Sequence, residues 1–304
     1  MLQAFRVYRK DLTMKVACIT RFEQFHPRTG LAARLEDEVV RAGHSYARID
    51  PGDIKINYDG ENFPLWHPTL DFNDFDLFDH ALRLEDMFSW EVIDCLREWG
   101  HTVLRTNRVV SDDKITMARL FSRYGIKTPR TTVLDNLAQA EVAAAEFGWP
   151  VVGKARKGSQ GRTIRLIEDT DQLTDFIDMA LDVAPNFLLQ EVIRPMGSDI
   201  RLFVVGKRVV AAMKRYAPEG DFRSNYSLSK RADPYTPSAE EEQLAVRVAE
   251  LYQANYAGVD VMYSGGVPYV LEINKLPGLN IEEITGVNVA AEIVKFYENQ
   301  LKKG

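Results

Sequence analysis

A chain of 304 residues, 45% hydrophobic and 27% charged with a formal charge of −6, has the composition of folded material and exceeds one ordinary core, so two or three domains or subdomains are expected. The acidic balance, with a pI near 5.5, gives no electrostatic reason for tight nucleic-acid binding but leaves phosphate ligands open, and two cysteines, Cys18 and Cys95, are too few for a disulfide framework or a thiolate metal site. The N-terminus shows no cleavable signal and no apolar run reaches membrane-spanning length, which predicts a cytoplasmic protein with neither nucleic-acid nor membrane partners and buried thiols.

The segment MKVACIT, from Met14, reads as the first strand and makes residues 1–13 an upstream extension. Residues 15–20 predict a strand, 31–42 an amphipathic helix stopped by Gly43, and 45–49 a second strand, a βαβ opening. The acidic, aromatic stretch LDFNDFDLFDHALR admits both a strand edge and a functional loop. A helix over 90–99 ends at Gly100. In SDDKITMARLFSRYG, Ser111 serves as an N-cap, Ile115, Leu120 and Phe121 form the apolar stripe, and Gly125 is the stop. Beyond Thr131 short strands alternate with glycine turns and with helices over 136–147 and 170–180. VVGKARKGSQGRTI reads as strand, glycine loop, strand; FLLQEVI as a strand; IRLFVVGKRVVAAMKRY as a hairpin turning at Gly206 and Lys207. A helix over 239–255, the hairpin GVDVMYSGGVPYVLEIN and a helix over 287–301 complete the chain. The first third is therefore α/β and the remainder α+β.

Four stretches carry chemistry. If SGGVP is a five-residue loop with Tyr263 opposite Tyr269, Asp260 lies across from Glu272, and alternation puts Asn274 on the same face. Two unpaired carboxylates so placed repel each other. A hard divalent cation such as Mg²⁺ removes the conflict, and replacing either acid should spare the fold. The alternative, an exposed hairpin face with solvated acids, is disfavoured by the apolar neighbours Val261, Val270, Leu271 and Ile273. In the second stretch Lys154 ends a strand and Gly158 and Gly161 frame Ser159 and Gln160; glycines let backbone N–H groups approach phosphate, yet alone this is equally a flexible turn. It is not a P-loop, since the lysine precedes the glycines and a strand follows. In the third, Gln190 and Glu191 precede an Arg-Pro bend, and Asp199 and Arg201 open a strand. An amide beside a carboxylate suits an adenine amino group and the later acid a sugar hydroxyl, with a surface salt-bridge cluster as the alternative. In the fourth, EGDFRSNY places Arg223 and Asn225 in a loop suited to polyphosphate or carboxylate oxygens.

In this order the motifs resemble the ATP-grasp fold, and within it the RimK-type carboxylate–amine ligases, from MKVACIT through the last helix. GSQG, QEVI, SDIRLFVVG, EGDFRSN, AGVDV, LEIN and PGL are the most specific pieces. The resemblance implies a pre-ATP-grasp α/β domain over 14–107, a central subdomain over 108–190 and a C-terminal subdomain over 191–304, with ATP between the last two. Carried over by position, Lys154 meets the ATP phosphates with Lys114 as a second lysine, Gln190 and Glu191 contact adenine, and Asp199 the ribose. Arg223, Ser224 and Asn225 lie on the polyphosphate side, and Asp260, Glu272 and Asn274 hold Mg²⁺, with Mn²⁺ as the alternative metal. Arg201 and Arg223 are the catalytic cations.

The implied reaction phosphorylates a carboxylate and lets an amine displace phosphate from the acyl phosphate. Its substrates are an amino acid or amine and a carboxylate on a small molecule, peptide or protein terminus, and the enzyme is expected as a homo-oligomer, a dimer or tetramer. An ATP-binding regulatory or interaction protein without turnover, or a kinase that stops at phosphoryl transfer, are the alternatives. The chain departs from the RimK pattern after RSN. Members that add glutamate carry a His-Arg-Gly-Gly run there, whereas this chain has YSLSKRADPY, whose Lys230 and Arg231 either face the acceptor carboxylate or form a solvated basic loop. Lys275 follows Asn274 and by alternation points to the opposite face. The five histidines, all in the first third, show no ligand spacing.

Overall fold

The computed structural model describes residues 13–21, 31–58, 60, 62–82, 86–104, 113–156 and 163–302. Ser111, His26 and the glycine-loop residues Gly158, Ser159, Gln160 and Gly161 lie outside them, as does the extension before Thr13. Two compact units form: Met1–Arg105 with Ala290–Gly304, and Thr106–Val289.

In the first unit β1 (Lys15–Ile19), α1 (Leu31–Arg41) and β2 (Ser45–Ile49) make the expected βαβ unit, with β1 and β2 paired in parallel. A small hairpin, β3 (Lys55–Ile56) with β4 (Leu65–Trp66), follows. The ambiguous acidic stretch resolves into β5 (Leu77–His80), which pairs in parallel with β1 to give the order β2-β1-β5. All four of its residues are buried, Asp79 and His80 included, so acidic flanks had disguised a core strand. The helix α2 (Met87–Glu98) starts earlier than its apolar pattern announces, because Asp86 caps it by accepting from Ser89 N at 3.2 Å. Cys18 and Cys95 are buried and in no disulfide.

The second unit begins with α3 (Lys114–Arg123), capped by Asp113, which accepts from Thr116 N at 3.1 Å. Its buried stripe is Met117 and Phe121, four residues apart; Ile115 and Leu120 are only half-buried. Next come β6 (Thr131–Leu134), α4 (Leu137–Phe147), β7 (Val151–Ala155), β8 (Ile164–Ile167), α5 (Thr170–Val183) and β9 (Phe187–Glu191). The four strands form an antiparallel sheet in the order β6-β9-β7-β8, and α4 and α5 cover one face over a core that includes Val151, Ile167, Phe176 and Phe187.

A five-stranded antiparallel sheet follows, built from β10 (Ser198–Val205), β11 (Arg208–Tyr216), β12 (Ala232–Pro234), β13 (Tyr256–Ser264) and β14 (Val267–Asn274) in the order β12-β11-β10-β13-β14. The one-turn helix α6 (Tyr226–Ser229), α7 (Ala239–Leu251) and α8 (Ile281–Thr285) lie between or after its strands. Strand alternation divides the sheet chemically. Ile200, Leu202, Val204, Val259 and Val261 join Met117, Phe121, Val248 and Tyr252 in an aliphatic and aromatic layer under α3 and α7. The other face carries Asp199, Arg201 and Asp260. α9 (Val289–Leu301) closes the chain; in the first unit its Tyr297 hydroxyl donates to Asp79 at 2.6 Å, and Glu298 lies 3.0 Å from His44 Nε2. Among the described residues no helix is long and apolar enough to cross a membrane.

The β13–β14 turn differs from the five-residue loop expected. Gly265 and Gly266, with φ of 56° and 77°, make a two-residue turn, so Tyr263 meets Pro268 and not Tyr269. A bulge after Asp260 then absorbs one residue and restores the pairing of Asp260 with Glu272. The bulge also leaves Leu271 and Glu272 on the same side, while Val270 and Ile273 stay in the helix-covered layer.

Gly153, between Val152 and Lys154 on β7, has no room for a side chain: a Cβ there would stand 2.6 Å from Ile167 Cδ1 and 2.8 Å from two ring carbons of Phe176. Gly153→Ala is expected to destabilise the protein by about 1–3 kcal/mol through overpacking, measured as a lower urea midpoint at unchanged slope.

Candidate active site

Register builds the floor of the candidate site. Asp199 pairs across strands with Arg215, and Arg201 with Asp260, while Asp199 and Arg201 share a face by alternation. The four side chains form one row of alternating sign. Arg201 binds Asp260 in two places, Nε to Oδ1 at 2.7 Å and Nη2 to Oδ2 at 2.6 Å. Arg215 binds Asp199 through Nε at 2.8 Å and through Nη2, and the same Nη2 lies 2.8 Å from Asp260 Oδ2. Asp199, Arg215 and Asp260 are all at or below 5% exposure, so none is balanced by solvent. Burial would raise the Asp260 carboxyl, but Arg201 and Arg215 outweigh it and hold it well below the usual carboxylate range. The premise of unpaired carboxylates is therefore corrected: protein cations already neutralise Asp260.

Glu272, opposite Asp260, and Asn274, two residues on, complete the carboxylate corner. The Asn274 amide nitrogen donates to Glu272 Oε1 at 3.0 Å and, more weakly, to Asp260 Oδ2 at 3.3 Å. No group of three His, Cys, Asp or Glu side chains able to hold a metal occurs among the described residues. Two carboxylates and an amide oxygen suit a hard cation that takes its remaining ligands from phosphate and water, the usual habit of Mg²⁺. Lys275, beside this corner, is buried, 6% exposed.

The facing wall comes from β7 and β9. Lys154 is half-buried. Burial pushes its pKa down from 10.5 to about 8, with Lys114 lowering it further and Glu272 and Asp260 opposing. Lys114 opens α3, whose cap Asp113 is clamped by Arg156 Nε at 2.7 Å. Gln190 donates through Nε2 to Thr131 Oγ1 at 2.7 Å. The Glu191 carboxylate accepts from Arg130 N at 2.9 Å and Nε at 2.8 Å. Burial alone would raise its pKa, but these donors hold it below the ordinary range.

A cleft enclosing about 730 Å³ with its open mouth brings these parts together. Lys154, Gln190, Glu191, Asp199, Arg223, Ser224, Asn225, Asp260 and Glu272 all line it. Asn274 and Arg201 reach it through Asp260, and Lys114 through its field at Lys154. Arg223 is held by Asp221, its Nη2 2.6 Å from Oδ2. Lys230 and Arg231 do not line the cleft. Both are exposed, Lys230 with φ of 51° ends α6, and Arg231 lies 6.0 Å from the Tyr216 ring. Sequence reading missed Arg215, because an unbroken register from the turn at Gly206 and Lys207 would set Lys214 opposite Asp199, and only the irregularity between Phe203 and Val204 brings Arg215 there. It also missed the apolar lining of Val152, Ile164, Ile193, Met196, Phe222 and Met262, gathered from strands and loops far apart in the chain.

The family described as the RimK-like ATP-grasp domain matches residues 111–297. A protein named probable alpha-L-glutamate ligase from Vibrio vulnificus (strain YJ016) is 32% identical over 301 residues, covering 95% of this chain and 97% of its own. The solved structure of ATP-grasp ligase PsnB complexed with precursor peptide PsnA2 and AMPPNP is similar with a TM-score of 0.72 at 16% identity, covering 97% of this chain and 100% of that one. That of a RimK domain ATP-grasp protein from Sphaerobacter thermophilus DSM 20745 gives 0.67 at 21% identity, covering 93% and 98%. At such identities the structural likeness is one of fold, and the fold is ATP-grasp.

Removing the Asp260 charge should cost stability even without ligand, because it leaves Arg201 and Arg215 facing each other in a buried site. Asp260→Asn is expected to lose about 3–5 kcal/mol, the range for breaking one side of a buried ion pair. Urea unfolding of the unliganded protein measures it, and unchanged stability would contradict the charge row.

Proposed function

This chain belongs to the RimK-like ATP-grasp family and is an ATP-dependent carboxylate–amine ligase, and we infer that the cleft holds ATP between the two sheets of the second unit. The adenine would lie by Gln190 and Glu191, against Ile193 and Met262. Asp199 takes the ribose, and Lys154, Lys114 and the Arg223–Ser224–Asn225 segment take the phosphates. Asp260, Glu272 and Asn274 hold Mg²⁺. The observation that carries this reading is the convergence, in one apolar-lined cleft, of a buried lysine, a neutralised acid corner and an arginine loop. Since the Glu191 carboxylate is engaged by Arg130, its contact with adenine falls to the rest of the residue.

Bound there, ATP and its magnesium supply a phosphoryl group that turns an unreactive carboxylate into an acyl phosphate open to attack by an amine. The chain's own residues supply field and position. The Lys154 ammonium and the Arg223 guanidinium stand where negative charge would gather on transferring oxygens. Arg201 commits Nε and Nη2 to Asp260 and so fixes the orientation of that carboxylate. Asp221 fixes the plane of Arg223. Asn274 holds Glu272 and Asp260 together before a cation arrives.

The substrates we propose are an amino acid, reacting through its amine, and a carboxylate on a small molecule, peptide or protein terminus. Incubation with ATP, Mg²⁺ and carboxylates paired with single amino acids, glutamate among them, should give a product whose mass is that of a condensation, with ADP and phosphate. Lys154→Met should lower the rate about 10²–10³-fold, the scale of a lost electrostatic donor. Nucleotide binding without any product would favour a regulatory protein, and a phosphorylated product that never condenses would favour a kinase.

The Lys154 shift gives a second test. With a pKa of about 8 in the free protein, the lysine is partly neutral there, and adjacent phosphates must raise its pKa. Binding therefore takes up a proton near pH 8, and ATP affinity, fully present below that value, falls as pH rises through it. Calorimetry in two buffers of different ionisation enthalpy should show uptake of roughly half a proton per site at pH 8, absent in Lys154→Met.

A further inference from the structure

One buried cation in the charge row has no part in the chemistry above. Arg215 is 2% exposed, and its guanidinium serves two acids at once: Nε and Nη2 to Asp199, and the same Nη2, at 2.8 Å, to Asp260. Asp199 is the acid assigned to the sugar and Asp260 the acid assigned to the cation. We propose that Arg215 is a positioning residue that couples the two ends of the cleft, so that a nucleoside at Asp199 and a divalent cation at Asp260 bind cooperatively. This inference rests on the nucleotide reading of the site.

The physical reason is the shared nitrogen. Asp260 Oδ2 already accepts from Arg201, Arg215 and Asn274, more donors than its two lone pairs accommodate well. A cation that coordinates Asp260 repels the guanidinium and competes for that oxygen; Asn274 can yield and keep Glu272, and Arg215 can yield and keep Asp199, but of the two only Arg215 leads to the sugar end of the cleft. Its Nη2, no longer shared, then serves Asp199 alone beside Nε. A carboxylate held by a guanidinium that no second acid shares is fixed more firmly in orientation for accepting from sugar hydroxyls. Arg201 cannot act this way, because its contacts both go to Asp260. Lysine in place of Arg215 would keep the charge but not the two-sided planar fork.

Adenosine is the informative probe, because ATP binds Mg²⁺ through its own phosphates and would mask a link made by the protein. Calorimetric titration of the full-length chain with adenosine, without and with saturating Mg²⁺, should show about fivefold tighter binding with the cation, at the lower end of ordinary coupling factors. By linkage, adenosine should tighten Mg²⁺ binding by the same factor. In Arg215→Lys the ratio should fall to about one while each ligand still binds alone, a change that mere loss of stability would not produce. Asp199→Asn, which leaves Arg215 paired to Asp260, should abolish the ratio too and serves if Arg215→Lys unfolds. A wild-type ratio of one with both ligands bound, or a ratio unchanged in the variants, overturns the proposal. Wild-type protein that binds neither adenosine nor ATP overturns the nucleotide reading itself, and this inference with it.

Discussion

The row Asp199–Arg215–Asp260–Arg201 is the constraint on which the second unit depends. Four charges removed from water carry a desolvation cost of several kcal/mol per ion, offset only when signs alternate and donors meet acceptors in good geometry. That geometry exists in one register of β10, β11 and β13. A slip of one residue would turn every side chain to the other face, driving the charges into the layer of Leu202, Val204, Val248 and Val259. The charged face and the aliphatic face thus specify the same pairing from opposite sides. The bulge beyond Asp260 belongs to this scheme, since it corrects the register set by the tight Gly265–Gly266 turn and delivers Glu272 opposite Asp260.

Against this locked floor stands a wall that carries Lys154, whose pKa burial depresses against the opposing pull of Glu272 and Asp260. An anionic ligand would relieve the cost of that burial, so the unliganded cleft is electrostatically prepared. The same wall is fixed by ordinary means elsewhere. Arg156 joins the end of β7 to the cap of α3 through Asp113 and to Asn186, and Arg130 braces β6 against Glu191 at the end of β9. These clamps keep Lys114 and Lys154 near each other although both are cations.

The segment after Asn225 explains why overall charge says little about substrate choice. Its basic residues stand in solvent. Ser229 Oγ donates to Tyr216 O and α6 closes on itself, and Arg231 leans on Tyr216 beside Lys214, 5.6 Å from the same ring. A charge run in sequence thus became a solvated turn. Selectivity for the acceptor must be sought in groups that face the reacting end of the cleft and in chain segments beyond it.

The sequence by itself determined what local pattern and order can encode. It encodes the strands and helices that bracket the site, the two-residue hairpin at Gly206 and Lys207, and the succession of motifs that marks the ATP-grasp fold, whereas the pairing of Asp260 with Glu272 needed the bulge after Asp260. Short-range physics suffices there, since turn glycines and period-two alternation act within a few residues. Only the tertiary structure decided the charge states and partners. That Asp260 is neutralised by two arginines, that Glu191 is turned onto Arg130, that LDFNDFDLFDHALR hides a buried parallel strand, and that Lys230 and Arg231 face water all depend on which strands become neighbours. Desolvation and Coulomb attraction are set by distance in space, and residues 59 apart in the chain, Arg201 and Asp260, lie 2.6 Å apart in the fold.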